Sequence, residues 1–105
     1  MSFKPKLHVT GVKGRNCVQS AVLGGKTDTL EYLHSLDNSL RYHKDNDGNT
    51  AMTLAVLHSN LETVKCLVEK LELNQREPGE NGMTPFLCAA KDGKIEMMQY
   101  LATVD

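Results

Sequence analysis

The sequence predicts an all-α chain: a solenoid of helix-turn-helix units stacked in a row and joined by extended loop fingers. Three observations carry this. Gly14, Gly48 and Gly82 recur at an interval of 34 residues. The same interval aligns small residues (Ala21, Ala55, Ala89), large apolar ones (Val18, Met52, Phe86; Leu30, Val64, Met98; Leu33, Leu67, Leu101) and acids (Asp28, Glu62, Glu96). The 105 residues include no Trp and only 5% aromatics, which suits thin stacked layers of Ala, Leu and Val better than one thick core.

Taken in order, residues 1–12 read as an N-terminal extension or cap. Lys4, Pro5 and Lys6 lie here, with Phe3, Leu7 and Val9 available to cover the first layer. Residues 13–45 form a degenerate first copy, in which Asn16 stands where the others have Thr50 and Thr84. Residues 46–79 form the second. Asp47-Gly48-Asn49 is turn chemistry, and Thr50 sits where a helix N-cap belongs. Met52, Ala55 and Val56 have the i, i+3, i+4 spacing of a short apolar helix face. A break at His58-Ser59-Asn60 follows, matched by Gly24-Gly25-Lys26 and Asp92-Gly93-Lys94. Leu61, Val64, Leu67, Val68 and Leu71 then form a longer stripe. Residues 80–105 form the third copy, without an outgoing loop. Pro85 follows Thr84 at the first helical position, where its missing N–H costs nothing. In the last helix Ile95, Met98 and Leu101 are expected to pack inward. Met97, Tyr100 and Val104 would make a second apolar face, so this end is expected to meet further repeats or a second copy of the chain, the alternative being that Met97 and Tyr100 pack beneath the first helix of their own repeat.

Thr84-Pro85-Phe86-Leu87-Cys88-Ala89 resembles the T-P-L-H-x-A signature of the ankyrin repeat, and Thr50-Ala51-Met52-Thr53-Leu54-Ala55 resembles it more loosely. Asn16-Cys17-Val18-Gln19-Ser20-Ala21 is the degenerate version. Gly93-Lys94-Ile95-Glu96-Met97-Met98 is similar to the family's G-H-x-E-I-V run. Gln19, Thr53 and Leu87 replace the signature histidine, and the G-A-D-V-N loop survives only as Leu71-Glu72-Leu73-Asn74. The resemblance covers roughly residues 12 to 105.

Composition narrows the function. A formal net charge of −1 offers no bulk attraction to nucleic acid or an anionic membrane. No apolar run approaches the ~20 residues of a membrane span. Cys17, Cys66 and Cys88 are an odd set without a C-x-x-C pair, which points to free thiols in a reducing compartment. The expected location is therefore cytoplasmic, with the nucleus as the alternative.

Signals of chemistry are incomplete. Gly24-Gly25-Lys26-Thr27 looks like the end of a phosphate loop, but the first glycine of that motif is replaced by Ser20. Asp45-Asn46-Asp47-Gly48 hints at a calcium loop, but Leu54 stands where the bidentate Glu belongs. His8, His34, His43 and His58 share no metal-ligand spacing with the cysteines. No cofactor, metal or catalytic residue is expected, and the chain is not read as an enzyme.

The resemblance implies a protein-protein interaction module, whose loop tips and first helices line a concave groove for a partner protein segment. Residue by residue, that groove would use Arg15 and Leu23 from the first repeat, with Lys13 and Gly24 beside them. The second would supply Asn46, Asp47, Asn49, Leu57 and His58. The third would supply Glu80, Asn81, Met83, Lys91 and Asp92. Leu23 and Leu57 share one repeat position, and with Met83 they suggest an apolar strip inside a charged rim, the alternative being that they pack under the adjacent loops. The alternative is a structural or regulatory segment of a larger scaffold, kinase or channel, with little binding of its own.

Overall fold

A computed structural model describes residues 7–58 and 60–104. Six α-helices form three pairs: α1 (Cys17–Gly24) with α2 (Thr27–Leu36), α3 (Ala51–Leu57) with α4 (Leu61–Glu69), and α5 (Pro85–Lys91) with α6 (Ile95–Thr103). No strand occurs among the described residues. The first helices stack α1 on α3 on α5, and α2 packs on α4 behind them. The expected Ser59, the segment Phe3 to Lys6 and Asp105 lie outside the described residues.

Each first helix starts at the capping residue read from the repeat. The Thr50 side chain accepts from the Thr53 amide, and the Thr84 side chain from the Leu87 amide. The degenerate copy keeps the device with different atoms. Asn16 Oδ1 accepts from the Gln19 amide at 3.0 Å, and the Asn16 amide donates back to Gln19 Oε1 at 3.1 Å. The caps at Asn16 and Thr50 are reciprocal capping boxes, whereas Thr84 caps one way because Leu87 has no acceptor to return; each satisfies amides that no helical carbonyl can reach.

Finger one (residues 11–15), finger two (45–49) and finger three (79–83) close alike. Gly11 N donates to Arg15 O at 2.9 Å, Asp45 N to Asn49 O at 3.0 Å and Gly79 N to Met83 O at 2.8 Å. Gly14, Gly48 and Gly82 all take positive φ (69°, 83° and 71°), which explains the glycine period.

Burial repeats with the same period and reveals the direction of stacking. Ser20, Leu54 and Cys88 share one position, as do Thr29, Thr63 and Met97. The first member of each set is exposed and the other two are buried, so these positions face the preceding pair. Val22, Val56 and Ala90 behave in the opposite sense: the first two are buried and Ala90 is exposed. That position faces the following pair.

This pattern corrects the expected arrangement of α6. Met97 is 4% exposed and Leu101 2%, whereas Ile95 is 67% exposed. Met97 shares the register of buried Thr63, so it faces the preceding pair rather than solvent. Tyr100 and Val104 are half-buried. The Tyr100 hydroxyl donates to Glu69 Oε2 at 2.7 Å, tying α6 back to α4. Met98 is half-buried against the core. The open apolar surface of this end belongs to α5 and Met98, not to Met97, Tyr100 and Val104.

Candidate functional site

Finger three, α5 and the C-terminal end of α3 enclose a cleft of about 200 Å³. Its rim carries Glu80, Asn81, Lys91 and Asp92, all exposed. Leu57, 41% exposed, and half-buried Met83 supply the apolar walls. Cys88 lines the floor; its thiol is buried, and desolvation followed by the nearby Asp92 carboxylate pushes its pKa up. The thiol therefore stays protonated and acts as a small apolar surface.

Local chemistry positions each part. Leu57 ends α3, and Lys94 holds that end in place. Its Nζ donates to Val56 O at 2.6 Å and Leu57 O at 3.0 Å, and approaches Asp92 Oδ2 at 3.6 Å. A cation on the last carbonyls of a helix satisfies orphan acceptors and opposes the helix dipole. Asn81 has positive φ (57°), the left-handed geometry that turns the fingertip.

Asn49 departs from its expected role. It is 5% exposed, and its Oδ1 accepts from the Glu80 amide at 3.2 Å and from Thr53 Oγ1 at 3.3 Å. Its atoms border the cleft, but the side chain is committed to fastening finger three onto the second pair. With two donors on it, the Asn49 Oδ1 has no lone pair left to accept a partner's hydrogen bond.

The remaining expected residues do not converge on this cleft. Arg15 is half-buried, with Nε 3.5 Å from the buried Asp45 carboxylate. Asn46 is exposed, but its amide donates to Lys13 O at 2.8 Å and its side chain lies against Gly14. Asp47 and His58 are exposed, and Leu23 is half-buried against the core. The cleft is thus a feature of the second and third repeats, not a strip along all three. Cys88 is the lining residue that sequence reasoning left out. Its shared register with Ser20 and Leu54 places it on the side of the first helix that faces the preceding pair, but only packing shows that a cleft opens there.

Larger hollows lie at the two ends. One of about 600 Å³ runs past Val9, Cys17, Ser20 and Thr29. One of about 420 Å³ opens beside Thr84, Phe86, Leu101 and Ala102. Among the described residues, no three His, Cys, Asp or Glu side chains gather as a metal ion would require. No helix of the described chain is long and apolar enough to cross a membrane.

The family described as ankyrin repeats (3 copies) matches residues 3–77. The poly [ADP-ribose] polymerase tankyrase of Caenorhabditis elegans is 32% identical over 103 residues, spanning 90% of this chain and 4% of that protein. Alpha-latrocrustotoxin-Lt1a of Latrodectus tredecimguttatus is 40% identical over 84 residues, 80% of this chain and 6% of the toxin. Protein glp-1 of Caenorhabditis elegans is 41% identical over 58 residues, 55% of this chain and 4% of its own length. This chain therefore corresponds to a small part of each relative. An ankyrin repeat domain from Acinetobacter baumannii superposes with a TM-score of 0.71 at 23% identity, over 93% of this chain and 52% of that one. At that identity the likeness speaks to fold alone.

Proposed function

The chain belongs to the ankyrin repeat family, and we propose that it is a non-catalytic binding module that holds a protein segment in the cleft between α3, α5 and finger three. Ankyrin repeats are generally protein-protein interaction modules, and their fold is typically non-catalytic. Function in such a fold lies in the exposed positions rather than in the scaffold.

The observation that carries this reading is the exposure of Leu57 beside Met83 inside a rim of Glu80, Lys91 and Asp92. A volume of about 200 Å³ suits one medium apolar side chain, with polar neighbours of the segment meeting the charged rim. With an odd set of buried and half-buried thiols, the module suits a reducing compartment, in keeping with a cytoplasmic location.

A peptide library selected on the immobilised protein tests this. The expected result is enrichment of peptides with a central apolar residue, whose binding is lost in Leu57→Asp and weakened in Lys91→Glu. Circular dichroism of both variants must match the parent. Enriched peptides that bind both variants unchanged would place the binding surface elsewhere.

A second reading, a structural segment within a larger array, is favoured by the open apolar surface of the third pair.

A further inference from the structure

We infer, on the reading proposed above, that the cleft takes a segment whose apolar residue stands between a basic and an acidic one. The basic residue lies at the fingers and the acidic residue at the helix turns. The cleft has two chemically different ends. α5 starts beside finger three and runs to the turn that carries Asp92. Its 7 residues span about 10 Å, which an extended segment crosses in about three residues. Met83 stands at the finger end, Leu57 at the turn end and Cys88 between them.

The finger end is acidic. Glu80 and Lys91 are exposed, and neither takes part in an ion pair among the described residues. Finger two adds a second carboxylate. Asp47 is exposed beside Gly48, where a Cβ would lie 4.0 Å from Glu80 Cα. Lys44 is held by Glu77 at 3.8 Å. Lys13 belongs to finger one, whose backbone borders Asn46 instead.

The turn end is cationic. Open carbonyls would give the end of a helix negative character, but here they are taken. In α3 the carbonyls of Leu54 and Ala55 accept from the His58 and Asn60 amides, and Lys94 Nζ covers those of Val56 and Leu57. In α5 the carbonyls of Cys88, Ala89 and Ala90 accept from the amides of Asp92, Lys94 and Gly93. Lys94 also offsets the Asp92 carboxylate at 3.6 Å. Lys91 is left as the charge that meets an occupant here. A segment with like charges on both sides of its apolar residue would set one of them against Glu80 or Lys91. Opposite charges match both ends, so charge decides which apolar segments enter.

The test uses a displayed peptide library with a fixed central Leu and random flanking positions. It is selected on the parent protein, on Glu80→Lys and on Lys91→Glu. Both side chains are exposed, and finger three is fastened through the Glu80 backbone amide, so the reversals leave the fold in place. The parent should enrich peptides with Lys or Arg on one side of the Leu and Asp or Glu on the other. Glu80→Lys, with two cationic ends, should enrich acids on both sides, and Lys91→Glu should enrich bases on both sides. Peptides from the parent should bind each variant roughly fivefold more weakly. They should also bind the parent more weakly when sodium chloride rises from about 0.1 M to about 1 M, which shortens the screening length from ~10 Å to ~3 Å. The same flanking residues from all three proteins, or an affinity that salt leaves unchanged, overturns the inference. If those peptides still lose binding in Leu57→Asp, the cleft remains the binding site; if they do not, the site lies elsewhere and both readings fall. A dimer of the protein that the peptides dissociate overturns the inference too, by giving the cleft to a second copy.

Discussion

Gln19 Nε2 donates to the carbonyl of Asn49 at 3.0 Å, across a sequence distance of 30 residues. The same amide reaches the His43 carbonyl, so one buried side chain of the first repeat holds the chain both entering and leaving the second finger. Gln19→Leu should cost about 1–3 kcal/mol, because two carbonyls lose their donor away from water. Leu87→Gln, at the equivalent half-exposed position, should change stability by less than about 0.5 kcal/mol. Urea unfolding midpoints of the two variants check the contrast. Equal shifts would mean that Gln19 does not fasten the finger.

Gly79→Ala should destabilise by about 1–3 kcal/mol, since the new Cβ meets Thr53 Oγ1 at 2.7 Å and Asn49 Oδ1 at 2.8 Å. Gly11 has nearly the same backbone angles, and a Cβ there meets nothing within 4 Å. Gly11→Ala is therefore the control for backbone strain, and the difference between the two midpoints isolates the clash.

Asp37 links the start of the described chain to the loop after α2. Its carboxylate accepts from the Ser39 hydroxyl at 2.6 Å and amide at 3.0 Å, and pairs with His8 at 3.0 Å. These contacts, led by the Ser39 hydroxyl, lower its pKa from 3.8 to about 2. A carboxyl group depressed in the folded state adds stability above its unfolded pKa and loses it as pH falls through the folded value. Melting temperature should therefore decline between pH 3.8 and about 2, and Asp37→Asn should flatten that part of the profile. A variant with the parent's slope would exclude this contribution.

Tyr100 is raised to about 12, first by desolvation and then by its hydrogen bond to Glu69. A group raised in the folded state contributes stability below its unfolded pKa and loses it as pH rises through the folded one. An ultraviolet phenolate titration should show one step near pH 12, and Tyr100→Phe should remove it. The same substitution should abolish the loss of stability between pH 10 and about 12.

The period, the three helix pairs, the caps at Thr50 and Thr84 and the inward stripe of α4 were legible because they rest on local chemistry repeated in register. A glycine that must take positive φ, a hydroxyl that caps its own helix and an i, i+3, i+4 pattern depend on neighbours a few residues away. The candidate cleft was legible only in part. Leu57 and Met83 stood out as apolar residues at finger and groove positions, and they do share the cleft. Arg15 and Asn49 read as surface residues, but Asp45 holds the one and finger three the other.

The sequence by itself determined the solenoid, its three layers and the residues from which each layer is built. Only the tertiary structure decided which of two neighbouring apolar residues turns inward in α6. Met97 and Met98 differ by one helical position, about 100° of rotation. Met97 is buried against the preceding repeat, whereas Met98 remains half-buried. The apolar pattern of the helix contains both choices; the direction from which the neighbouring repeat approaches selects between them, because a stacked layer buries the side that its neighbour covers.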